Sequence, residues 1–253
     1  MQSHKILLSL GVLFCAVTVI TSSQCYANKN KISEMAADFI KCFVNDYIAP
    51  FTYSTGLDGH NKWELVFVAS ANTGTSIFDY WTRVRSDNCS QKPNPKTKCD
   101  CTWKSALVDI WDKICIKEVL IKLYKDEETV AFAKFDGDGS TKFNWFSPER
   151  LGESSWLDLK PGGMVAETNY FSMQGHTIRV TELNRRFFIN ERYGGCPNDR
   201  LWMVVADPIQ PRSPGCSYDK KSGWPHIYYS PKKTRSRISS LAEADQMAIY
   251  IKR

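Results

Sequence analysis

The pattern of apolar and polar positions changes character along this chain, and each change predicts a different element. A short basic start ends at Lys5, an uncharged apolar run follows from Ile6 to Ile20, and small polar residues Thr21-Ser22-Ser23 close it. That order predicts a cleavable secretory leader over residues 1–23. A membrane anchor would need about 20 apolar residues to cross the hydrocarbon core, and no later stretch offers a span. From Asn28 to Tyr47, apolar residues recur at Ile32, Met35, Ala36, Phe39, Ile40, Phe43, Val44 and Tyr47. This spacing predicts a helix with one broad apolar face, ended by Pro50 and followed by a polar linker up to residue 61. Residues 24–61 are thus expected to form a helical appendage, packed on the body or serving oligomerisation.

The body is expected to run from 62 to 253. WELVFVAS, starting at Trp63, reads as a buried strand, and SIFDYWTRV as a short helix with Phe78, Trp81 and Val84 on one side. KSALVDIWDKI suggests a second helix. KEVLIKLYK alternates Val119, Ile121 and Leu123 against Leu120, Lys122 and Tyr124, the period of a strand with one face more buried. ETVAFAKF follows as a strand, Asp136-Gly137-Asp138-Gly139 turns the chain, and KFNWF is expected to return as a third strand. Further strand candidates are HTIRVT, RRFFIN, LWMVVAD, HIYYS and MAIYIK, separated by turn-rich segments. Short strands, few helices and long loops predict an α+β domain with a mostly antiparallel sheet.

Cysteine usage agrees with export. Cys15 lies in the leader, and cleavage after Ser23 leaves Cys25, Cys42, Cys89, Cys99, Cys101, Cys115, Cys196 and Cys216. An even number in an oxidising compartment predicts four disulfides, with 105 pairings open. The crowded group from Cys89 to Cys115 has a C-x-C but neither C-x₂-C nor a nearby histidine, so zinc is not expected. The formal charge of +6 falls to +5 once Lys5 leaves with the leader, too mild an excess to imply nucleic acid. Asn88-Cys89-Ser90 is a glycosylation sequon in a polar loop.

The order of WELVF, FDYW, CIKEVLIKLYKDEETVAFAKFDG, GGCPNDRLWMVVADP and MAIYIKR resembles a diverged fibrinogen-like C-terminal domain. FNWFSPERL, SSWLDL, NRRFFINERYGGCPNDRLWMVV and IYYS are more closely similar to segments of an uncharacterised family of secreted invertebrate proteins. The resemblance implies a fibrinogen-like fold, a late disulfide between Cys196 and Cys216, and a role in extracellular recognition. Two departures limit it. No cysteine lies between Pro50 and Trp63, and HTIRVTELNRRFF lacks the Asp-x-Asp pair of the family's calcium loop. Neither calcium binding nor an acetyl-group pocket carries over.

Candidate chemistry is sparse. Asp136, Asp138 and Ser140 begin like a calcium loop, but Thr141 and Pro148 stand where an EF-hand needs Gly and a bidentate Glu. No H-E-x-x-H, G-x-S-x-G or phosphate-cradling loop occurs, and His60, His176 and His226 are scattered, so neither an enzyme nor a cofactor is expected. The eight tryptophans read as core, with Trp145, Trp156 and Trp224 near loops as candidates for exposure. The segment PKKTRSR concentrates Lys232, Lys233, Arg235 and Arg237. If extended, it would align Lys233, Arg235 and Arg237 on one side for contact with an anionic or sulfated glycan. The expected function is a secreted, non-enzymatic recognition protein with a glycan or surface-protein ligand; the alternative is a structural component of an extracellular, skeletal or shell matrix.

Overall fold

The computed structural model describes residues 63–83, 89, 91–161, 170–178, 183–192, 194–207 and 216–253. The expected leader, N-terminal helix and linker, and with them Cys25, Cys42 and Asn88, lie outside the described residues. No helix among those residues is long and apolar enough to cross a membrane.

Two antiparallel sheets make the body. The strands are β1 (Glu64–Ser70), β2 (Trp103–Lys104), β3 (Glu118–Lys125), β4 (Glu128–Asp136), β5 (Leu151–Ser154), β6 (Tyr170–Ser172), β7 (His176–Ile178), β8 (Leu183–Arg192), β9 (Arg200–Ala206), β10 (His226–Tyr229), β11 (Ser236–Arg237), β12 (Ala242–Ala244) and β13 (Gln246–Lys252). The first sheet has the order β2-β1-β13-β3-β4-β5; the second runs β12-β10-β9-β8-β6, with β11 on β9 and β7 on β8. The expected α+β class is therefore overturned in favour of a β-sandwich. One short α-helix, α1 (Ile77–Thr82), is present among the described residues, and Ala106–Lys113 is 3₁₀ with a non-helical Ile110 rather than a second α-helix. The expected strand KFNWF is also absent. Trp145 and Phe146 are consecutive and both buried, a pattern that cannot alternate between two faces, and β5 pairs with β4 instead.

Burial follows the alternation where strands are regular. Val119, Ile121 and Leu123 join the inter-sheet core with Met247, Ile249 and Ile251 from β13 and Phe187, Ile189, Met203, Val205 and Ile227 from the second sheet. A register shift in β1 between Leu65 and Phe67 lets the adjacent Val66 and Phe67 both enter this core. Trp145 and Trp156, two of the three candidates for exposure, are buried as core, the general expectation for the tryptophans, and Trp224 is half-buried. Their ring nitrogens differ: Trp156 Nε1 donates to the Ser230 carbonyl at 3.0 Å, while Trp145 Nε1 has no partner.

The sheets are tied at α1. Asp207, at the end of β9, accepts from the Ser76 hydroxyl at 2.7 Å and from the Ile77 and Phe78 amides at 3.0 and 3.2 Å, capping the helix that follows β1. Burial pushes its carboxyl up to about 6, against those hydrogen bonds and the Arg186 charge. A carboxyl that holds its proton more tightly when folded penalises folding fully above pH 6, and the penalty shrinks as pH falls toward the ordinary carboxylate range. Between pH 7 and pH 5 the wild type should gain about 1 kcal/mol relative to Asp207→Asn, read from urea unfolding at each pH. A pH-independent difference would contradict this.

Disulfides join Cys89 to Cys101 and Cys196 to Cys216, and Cys115 is disulfide-bonded as well. Cys99 is a free thiol, so the expectation that every cysteine after the leader is bridged is not met there. Its sulfur lies against the Ser70 hydroxyl at 3.3 Å and Gln246 Nε2 at 3.5 Å.

Candidate anion-binding cleft

The β8–β9 hairpin and β11 bring three arginines together. Arg192 on β8 lies opposite Arg200 on β9, and Arg200 lies opposite Arg237 on β11. Residues directly opposite across antiparallel strands share a face, so the three stand on one rung. Like charges so placed are destabilising, by a few tenths to about 1 kcal/mol per pair. No acidic side chain among the described residues pairs with any of them.

Two adjoining cavities open on this rung. The larger, about 500 Å³, is lined by Asp158, Arg200, Lys232, Thr234, Arg235, Ser236, Arg237 and Ser240. The smaller niche, about 200 Å³, is lined by Arg192, Gly194, Asn198, Arg200 and Arg237. Arg200 and Arg237 belong to both, and no apolar side chain among the described residues lines either.

The wall is braced by Arg235. Its guanidinium meets Asp158 at 2.9 Å and Glu191 at 2.7 Å, and its backbone amide donates to Asp158 at 3.0 Å. Burial works against its charge, but Glu191 and Asp158 outweigh that and hold its pKa above the ordinary value. Asp158 also accepts from Trp202 Nε1 at 2.8 Å, while the Leu157 amide donates to the Lys233 carbonyl at 2.6 Å. These bonds fix the turn that carries Lys232.

The niche is held from beneath. The Gly194 amide donates to Asp199 at 2.8 Å, and a Cβ on Gly194 would stand 2.7 Å from the Asn198 Cβ, so a bare backbone is needed. Asp199 in turn faces Arg185 at 3.4 Å, and Arg185 binds Asp219 through two nitrogens at 3.0 and 2.8 Å. All three side chains are at most 3% exposed. The Cys196–Cys216 bridge closes the same region, with Arg185 Nη2 donating to Cys216 Sγ at 3.4 Å.

Of the four basic residues expected to make anion contacts, Lys232 and Arg237 line the cleft without an acidic partner among the described residues. Arg235 lines it but is engaged by Asp158 and Glu191, and Lys233 is outside both linings. The chain bends from Pro231 to Thr234 rather than running extended, which removes the alternation expected to align Lys233 with Arg235 and Arg237. Sequence reasoning missed Arg192 and Arg200. A signal existed: in NERYGGCPNDRLW the two arginines flank the turn-rich connection YGGCPND between two strand candidates, and hairpin strands pair the residues that flank their connection.

The remaining candidate sites serve structure. Arg150 donates to the carbonyl oxygens of Asp136, Asp138 and Gly139, so a guanidinium occupies the concave side of the Asp-Gly-Asp-Gly turn. The sulfurs of Cys89, Cys99 and Cys101 lie within 4.8 Å of one another, yet the bond between Cys89 and Cys101 removes the thiolates that a metal needs. His226 has Nδ1 against Glu243 at 2.5 Å and Nε2 against the Lys221 carbonyl at 3.2 Å. That contact, more than any other, draws the Glu243 carboxyl down to about 2. No protein-family model, curated protein or solved structure matches the chain.

Proposed function

We propose that this chain is an extracellular, non-enzymatic binding protein whose cationic cleft recognises the anionic groups of glycans. The observation that carries the reading is the rung of Arg192, Arg200 and Arg237, three like charges placed side by side with no acid among the described residues to neutralise them. Such an arrangement costs the free protein stability and is relieved by an anion, which arginine binds through two parallel hydrogen bonds. The lining supports this ligand class. Small-molecule and protein-hot-spot sites are mostly apolar or aromatic, whereas this cleft offers the exposed hydroxyls of Thr234 and Ser240 and the Asn198 amide between its cations, groups that suit a hydroxyl-rich sugar. The uncharged apolar run at residues 6–20, which reads as part of a secretory leader over 1–23, and the disulfides support an extracellular setting.

The reading predicts opposite effects on binding and stability at one residue. Arg200→Gln should weaken binding to immobilised heparin at least about tenfold, since hydrogen bonds to charged groups are worth about 1.5–3 kcal/mol. The same change should leave the melting temperature equal or raised, because it removes the middle charge of the rung. Surface plasmon resonance and differential scanning calorimetry read the two. Unchanged binding, or a fall in melting temperature that accounts for the lost binding, would sink the proposal.

A further inference from the structure

Resting on that reading, we infer that the ligand is a linear polyanion which runs from the niche into the larger cavity, with at least two of its anionic groups bound at once. The two cavities, about 200 and 500 Å³, adjoin through Arg200 and Arg237. Each also has a cation of its own: Arg192 in the niche and Lys232 in the larger cavity. The rung crosses three adjacent strands spaced about 4.8 Å apart, so its arginine backbones span roughly 10 Å. One sulfate or carboxylate satisfies one or two guanidiniums at such a spacing and leaves the far cation unpaired.

The neutralisation of Arg235 sharpens this. Asp158 and Glu191 both face Arg235, so these two acids are engaged with the brace, and no acid among the described residues pairs with the rung Arg192–Arg200–Arg237 or with Lys232 beside it. A chain with regularly repeated anionic groups matches a line of charges; a single ion does not. Sulfated and uronic-acid polysaccharides share this chemistry, and the test separates them.

Isothermal titration of the full chain with inorganic sulfate, a heparin-derived hexasaccharide and a hyaluronan hexasaccharide decides it. The heparin hexasaccharide should bind about a hundredfold more tightly than sulfate, the low end of what linking two contacts supplies. Lys232→Gln and Arg192→Gln should each weaken hexasaccharide binding and reduce its dependence on log salt by about one unit, because a fragment that spans both cavities meets both residues. Tight binding of the hyaluronan hexasaccharide as well would support the polyanion and show that carboxylates suffice; its failure beside a tight heparin fragment would support it with sulfate as the required group. Equal affinity for sulfate and hexasaccharide, or a hexasaccharide indifferent to Lys232→Gln, overturns the inference and leaves a one-anion site that still fits the proposed function. If none of the three probes binds, both readings fall.

Discussion

Arg185→Met should cost about 3–5 kcal/mol of unfolding free energy, the range found when one partner of a buried ion pair is removed. Asp219 accepts from two Arg185 nitrogens and from the Cys216 amide at 2.8 Å, and Asp199 links the same guanidinium to the Gly194 amide. The guanidinium carbon also sits 4.8 Å from the Tyr218 ring centre. Taking away the cation leaves two buried carboxylates, Asp199 and Asp219, with only backbone amides and no counter-ion. Methionine replaces the packing of the side chain but not its charge. Adding Asp219→Leu to Arg185→Met should recover part of the loss, because desolvation of one acid is then no longer required. Urea unfolding measures both; a cost below about 1 kcal/mol for the single change would mean that the site is hydrated in solution. The variant bears on the cleft too, since Asp199 holds the loop that lines the niche.

Trp81→Ala should be comparably severe, at about 3–5 kcal/mol. The ring is fully buried at the meeting of the two sheets. Its centre lies 5.2 Å from Phe67, 5.8 Å from Trp111, 5.9 Å from Trp145 and 6.5 Å from Phe187. Alanine opens a cavity among rings that strands from both sheets hold apart, so little collapse can fill it. The change also strips the Lys142 carbonyl of its indole donor at 2.8 Å. Trp81→Phe keeps most of the aromatic volume and should cost markedly less. Thermal unfolding followed by near-ultraviolet dichroism reads both, because loss of the coupled aromatic environment accompanies loss of stability. A cost for Trp81→Ala no larger than for Trp81→Phe would show that the cluster repacks.

Local pattern and tertiary pairing contributed differently to this molecule. The alternation in KEVLIKLYK predicts β3 and its buried face, and Val119, Ile121 and Leu123 do enter the core. Strands β1, β4, β8, β9, β10 and β13 are also legible as apolar runs bounded by turn residues, and α1 as a short amphipathic segment behind Ser76. Where backbone irregularity intervenes, pattern fails. KFNWF has the composition of a strand, but Trp145 and Phe146 both turn into the core from a bend. KSALVDIWDKI has helical spacing but forms tight 3₁₀ turns broken at Ile110.

The α+β expectation went wrong at the level of pairing. Strand β13, from the last residues of the chain, sits between β1 and β3, and no local signal reports so distant a partner. The same limit applies to the cleft. By itself the sequence determined where the longer strands are, which cysteines were available for bridges, and that PKKTRSR is a dense basic segment. Only the tertiary structure decided that Arg235 is neutralised by Asp158 and Glu191, that Lys233 stays outside, and that Arg192 and Arg200 join Arg237 on one rung. Apolar periodicity is written into neighbouring residues and can be read there. The charge environment of an arginine is set by register across strands far apart in the chain, and that register exists only once the sheet has formed.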